Sequence, residues 1–146
     1  MNVSLAFLAD AATVHPDGKL SALGLGVDTI NTTTFPTQVP SLAVVVKVEF
    51  SPTECDRQHV IEVVPLDADG KLFSNPLRQP VTPPRNAVDP TLPSGAQAIL
   101  NYLMLQFTKA GAYAFSIIVD GREVKSLPLR VVMAPAMAGG IAPSAS

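Results

Sequence analysis

The stretch from Gly111 to Val132, GAYAFSIIVDGREVKSLPLRVV, constrains the fold more than any other part of the chain. Tyr113, Phe115, Ile117 and Val119 alternate with Ala112, Ala114, Ser116 and Ile118. Successive side chains on a strand point to opposite faces, so the large residues share one face. Asp120-Gly121 follows at once. That pair tolerates the positive φ angles of a type I′ turn, whose twist suits antiparallel strands. A two-residue turn sets Ile117 opposite Val124. Beyond it the apolar positions change parity to Leu127, Leu129 and Val131. A one-residue bulge near Lys125-Ser126 restores the match, with Leu127 opposite Phe115 and Leu129 opposite Tyr113.

The rest of the chain reads the same way. Val3 to Leu8 is a first strand. Ala11 to Val14 and Leu20 to Leu25 flank a turn at His15-Pro16-Asp17-Gly18-Lys19. Gly24 and Gly26 mark a bend, and Val27 to Phe35 continues as an edge strand. Leu42 to Phe50 is a central strand with Leu42, Val44, Val46, Val48 and Phe50 inward. Ala43 and Val45 begin its outer face, which turns polar at Lys47 and Glu49. His59, Ile61 and Val63 start the next inner face. Asp67-Ala68-Asp69-Gly70 closes that strand. Six prolines between Ser74 and Gly95 make that segment edge strand plus loop. Ala96 to Phe107 fits a helix through Ile99, Leu103, Met104 and Phe107. A strand is favoured because its neighbours are strands and sequential strands tend to pair. Short runs between turn signals predict an all-β chain: an antiparallel β-sandwich of about 7–9 strands. Residues 1–133 form a single domain in this reading, and 134–146 form a disordered tail rich in Ala, Gly and Pro.

Gly111-x-Tyr113-x-Phe115 resembles the tyrosine corner of immunoglobulin-like sandwiches, where a Tyr hydroxyl ties back to the upstream backbone. Phe115 stands where antibody domains carry a cysteine. More widely, residues 1 to about 132 resemble a family of small bacterial single-domain proteins of unknown function. The matching pieces are LAFLADAATV, GKLSALGLG, ECDRQH, LDADG and GAYAFSIIVDGREVKSLPLRV. The resemblance implies an immunoglobulin-like or C2-like sandwich. It implies no activity and carries over no catalytic residue.

Composition narrows the partners. Net charge is −2 with no cluster of Lys or Arg, which disfavours nucleic acid and anionic membrane surfaces. No apolar run approaches the ~20 residues of a membrane helix. The N-terminus lacks the basic start of a signal peptide, and one cysteine, Cys55, allows no internal disulfide. The expectation is a cytoplasmic protein. With 47% hydrophobic and only 15% charged residues, extra surface is expected to be buried against another protein or a second copy.

Few residues point to chemistry. His59 has inward parity, and Glu54 and Asp56 lie just before it, so a carboxylate is placed to fix its tautomer as a general base requires. A structural hydrogen bond is the plainer role for that cluster. Cys55 beside His59 is a weak nucleophile candidate, since adjacent acids suppress the thiolate. His15 reads as a solvated turn residue. Asp67 and Asp69 open like a calcium loop, but Arg78 stands where an EF-hand closes with Glu. C2-like calcium sites gather acids from several loops, which brings Asp28, Asp89 and Asp120 into question. Gly24-Leu25-Gly26 lacks the third glycine and the helix of a dinucleotide motif. No cofactor, metal or catalytic constellation is expected. The leading expectation is a non-enzymatic interaction module, with Ala43, Val45 and Ile118 forming an apolar contact strip. A loop-end domain binding calcium or a small molecule is the first alternative. A small hydrolase or isomerase around His59 and Glu54 is the second.

Overall fold

The computed structural model describes residues Met1–Ala134, and its regular structure is β throughout apart from one 3-10 turn at Pro52–Glu54. Ten strands run β1 (Asn2–Ala9), β2 (Ala11–Val14), β3 (Leu20–Leu23), β4 (Thr29–Thr32), β5 (Thr37–Phe50), β6 (His59–Leu66), β7 (Leu77–Val81), β8 (Ser94–Phe107), β9 (Gly111–Val119) and β10 (Arg122–Met133). They form a three-stranded sheet, β1-β5-β8, a five-stranded sheet, β4-β10-β9-β6-β7, and a β2-β3 hairpin. The expectation of 7–9 antiparallel strands is corrected in two respects. The described residues form ten strands, and β4 joins β10 in parallel. Ala96 to Phe107 is strand, as favoured. Residues 135–146, most of the expected tail, lie outside the described residues.

One core serves both large sheets. Phe50 and Val48 from the three-stranded sheet pack with Phe115, Ile117 and Ile61 from the five-stranded one. The alternation read in the sequence is what buries them: Tyr113, Phe115, Ile117 and Val119 are all buried. Asp120 and Gly121 have φ of 51° and 82°, the two positive values a type I′ turn requires. Leu127 faces Phe115 and Leu129 faces Tyr113, as expected. The bulge falls between Glu123 and Lys125, one step earlier than the sequence suggested, so Ile117 faces Lys125 rather than Val124.

The Tyr113 hydroxyl donates to the Lys109 carbonyl at 2.7 Å, closing a tie across the turn into β9. Tyr113→Phe leaves that carbonyl to water and keeps the ring packing. It should therefore cost about 1 kcal/mol in denaturant unfolding. A loss near zero would mean the tie contributes nothing.

β5 and β8 pair along their whole length but change character at one point. Val39 faces Leu105 and Ser41 faces Leu103, leaving Pro40 and Met104 opposed without a pair. Met104 has a φ of 54°. On one side of this kink Leu42, Val44, Leu100 and Tyr102 face the core; on the other Val39, Leu105 and Phe107 do. Both strands swap faces together.

The outer faces of the two large sheets differ. The β2-β3 hairpin lies over β5 and β8, with Ala12, Leu20 and Ala22 half-buried. Ser41 Oγ donates to the Asp10 carbonyl at 2.8 Å near one end, and Gln97 Nε2 donates to the Gly18 carbonyl at 2.6 Å near the other. Gly24, with a φ of 65°, turns the chain at the hairpin's exit, and a Cβ there would collide with the Asp10 carboxylate. Among the described residues, no strand covers the outer face of the five-stranded sheet.

Candidate functional site

His59 opens β6 with the inward parity read from the sequence, and it is 8% exposed. Its ring stacks on Phe50 with centroids 4.4 Å apart. Nδ1 lies 2.6 Å from Asp120 Oδ2, and Nε2 lies 2.7 Å from the backbone carbonyl of Glu54. Both neighbours are acceptors. A ring whose two nitrogens each face an acceptor is best satisfied with both protonated. Burial is the largest single influence on His59 and pushes its pKa down. The bond to Asp120, the bond to the Glu54 carbonyl and the nearby carboxylate charges outweigh it, so the pKa ends above its ordinary value of 6.5. Burial likewise pushes the Asp120 carboxyl up, but the hydrogen bonds from His59 and from the Val60 N–H prevail and hold it below its ordinary value. Below that raised His59 pKa the pair is an imidazolium–carboxylate bridge.

The local fold explains why Asp120 arrives there. β6 pairs with β9, with Ile61 facing Val119. That register sets the Asp120-Gly121 turn beside the start of β6. Val60 N donates to Asp120 Oδ1 at 2.9 Å, and Asp120 N donates to the Val60 carbonyl at 3.0 Å. One carboxylate thus ties the last hairpin to β6 through both a side chain and the backbone.

The sequence placed Glu54 and Asp56 beside His59; the structure gives each carboxylate another partner. Glu54 contributes its carbonyl to the ring, while its carboxylate turns to the chain's start. Oε1 accepts from Ser51 N at 3.0 Å and Ser51 Oγ at 2.8 Å, and the Met1 amino group lies 2.9 Å away. That ammonium, then the two Ser51 donors, draw its pKa down to about 2. Asp56 bonds Arg85 at 2.8 Å. The residue missed as His59's partner was Asp120, 61 positions away. Its signal was present only as the turn, since pairing of β6 with β9 is not written in either strand alone.

A general base needs a ring nitrogen with a free lone pair directed at substrate. Neither His59 nitrogen has one here. Cys55 is buried in the core, its Sγ 3.4 Å from the Ser51 carbonyl. His15 is an exposed turn residue bonded to Ser21 Oγ. Asp67 and Asp69 stand in the β6–β7 connection, where Asp67 Oδ1 accepts from the backbone N–H groups of Asp69 and Lys71, each at 2.9 Å. The Lys71 N–H is the chief cause of the lowered Asp67 pKa. Asp28 lies just before β4, Asp89 bonds Thr91, and Asp120 is committed to His59. Among the described residues, no group of three His, Cys, Asp or Glu is placed to hold a metal ion.

The expected strip of Ala43, Val45 and Ile118 does not exist as one surface. Ala43 and Val45 are each 0% exposed beneath the β2-β3 hairpin. Ile118 is half-buried on the outer face of the other sheet. The chain's own hairpin covers Ala43 and Val45, where burial against another protein or a second copy was expected.

These features define an all-β protein whose buried polar groups are pinned structurally rather than displayed in a cleft. A model for a family of unknown function, DUF6941, matches residues 4–132. The chain belongs to that family. No curated protein matches it, and no solved structure does. No helix among the described residues is long and apolar enough to cross a membrane.

Proposed function

We propose that this chain is a non-enzymatic protein-interaction domain built as an immunoglobulin-like or C2-like sandwich and working in the cytoplasm. The observation that carries the reading is the asymmetry of its outer faces. The middle of one large sheet, over Ala43 and Val45, is covered by the chain's own hairpin, whereas the other sheet carries small and apolar side chains at its centre with no strand over them among the described residues. Antiparallel sheets facing water usually alternate toward polar residues on the wet side. The commitment of both His59 nitrogens within the chain supports the non-catalytic half of the reading.

The test is affinity capture of the full chain from native lysate, followed by reconstitution with the purified partner. Ala114→Arg, at the centre of the open face, is expected to weaken that binding at least tenfold while leaving the melting temperature within a few degrees. A catalytic turnover that disappears in a well-folded His59→Gln protein would overturn the reading.

A further inference from the structure

We propose that the open face of the five-stranded sheet is a homodimer interface, in which two copies pack face to face about a two-fold axis running across the strands. This inference rests on the interaction reading above and names its partner: a second copy of this chain.

Residues paired across antiparallel strands point to the same side of a sheet. The pairings therefore assign the outer face row by row. Arg130 pairs with Ala112 at one end. Pro128 and Leu66 both flank Ala114. Ser126 and Val64 both flank Ser116. Glu123 and Glu62 both flank Ile118 at the other end. The bulge at Val124 takes up the extra residue, so the four rows are evenly spaced. The two middle rows carry no charge. The bulge and register also send Arg122 and Lys125 elsewhere, because they pair with the inward-facing Val119 and Ile117.

The charge on this face is polar in sequence direction. Arg130 ends one side and has no carboxylate partner among the described residues. Glu123 ends the other side and bonds only the Ser116 hydroxyl, at 2.6 Å. Glu62 is neutralised by Arg78. A two-fold axis between the middle rows lays each end row over the opposite end row of the second copy. Arg130 then meets the second copy's Glu123, twice. Ala114 meets Ser116, and Leu66 meets Val64. In a two-fold contact every pairing occurs in both directions, so a face must be its own complement. The two middle rows meet that condition across three strands, and the two end rows meet it across β9 and β10.

The patch spans roughly 20 Å along the strands. Three strands of that length make a patch smaller than a standard interface of ~800 Å² per partner, so a weak dimer is expected.

Sedimentation equilibrium of the full chain tests this directly. Wild type should show a monomer–dimer equilibrium. Arg130→Glu and Glu123→Arg should each weaken it at least tenfold, because like charges then meet across the axis. The double variant carrying both reversals should recover association to within about threefold of wild type, whatever either change costs in monomer stability. Leu103→Lys, on the other sheet and 74% exposed, should leave association unchanged. A wild type that stays monomeric to millimolar concentration overturns the dimer, as does a double variant that fails to recover. The broader interaction reading survives those outcomes if Ala114→Arg still weakens binding to a captured partner at least tenfold, and it falls with them if it does not.

Discussion

Val45→Lys should unfold the protein or tear the β2-β3 hairpin from the sheet. Val45 is 0% exposed, with Phe7 and Ile99 beside it in the sheet and the hairpin above. A lysine there carries its ammonium beneath the hairpin, and burying a charge without a partner is among the costliest single changes. The expected loss is about 4–5 kcal/mol, a large share of the 5–15 kcal/mol that holds a domain of this size. If the ammonium escapes instead by lifting the hairpin, hydrogen exchange should accelerate in Ala11–Val14 and Leu20–Leu23 while β9 and β10 stay protected. A variant as stable as wild type, with both hairpin strands still protected, would show that the hairpin does not seal this face.

The second large effect belongs to His59. Replacing it with Ala removes a charge-assisted bond to Asp120, a bond to the Glu54 carbonyl and the stacking on Phe50. Hydrogen bonds to charged groups contribute about 1.5–3 kcal/mol and ring stacking somewhat less. Asp120 is 47% exposed and regains water when the ring is gone, which trims the loss. About 2–3 kcal/mol is expected, a fall in melting temperature on the order of 10 °C.

The same bridge makes stability depend on pH in a stated direction. His59 has a raised pKa in the folded protein, so its contribution is complete below the unfolded value of about 6.5 and is lost as pH rises through the folded one. Asp120 and Glu54 are lowered, so theirs is complete above about 4.5 and is lost as pH falls through their folded values. Stability should therefore peak between about pH 5 and 6.5. His59→Gln should flatten the alkaline side of that curve and leave most of the acid side. An alkaline slope identical in wild type and His59→Gln would show that the ring is neutral in the folded state.

What the sequence disclosed follows from how local each signal is. The β9–β10 hairpin was legible in its turn and in the pairs beyond its bulge, because alternation and a two-residue Asp-Gly turn fix register over short distances, although the bulge itself stands at Val124 and gives Ile117 a different partner from the one expected. The inward parity of His59 was legible for the same reason. Its partner was not: Asp120 reaches it only through the pairing of β6 with β9, which neither segment encodes by itself. Ala43 and Val45 were correctly seen as apolar on an outer face, yet the cover came from a hairpin of four-residue strands whose own pattern carries no address. The parallel partnership of β4 was hidden likewise. Parallel pairing is set by where a distant strand leaves an open edge, and Thr29–Thr32 gives no hint of it.

The kink shared by Pro40 and Met104 has a consequence for assembly of the sheet itself. An ordinary pair of long strands slides in steps of two residues with its inside and outside preserved. Here the inside of each strand changes at a single marked position, and the marks must coincide. Sliding β8 by two residues would leave a short span in which one strand offers its apolar side to the core while its neighbour offers the other. The joint is keyed: fourteen-residue strands, which have many ways to pair wrongly, are left with one alignment that closes the core along their full length.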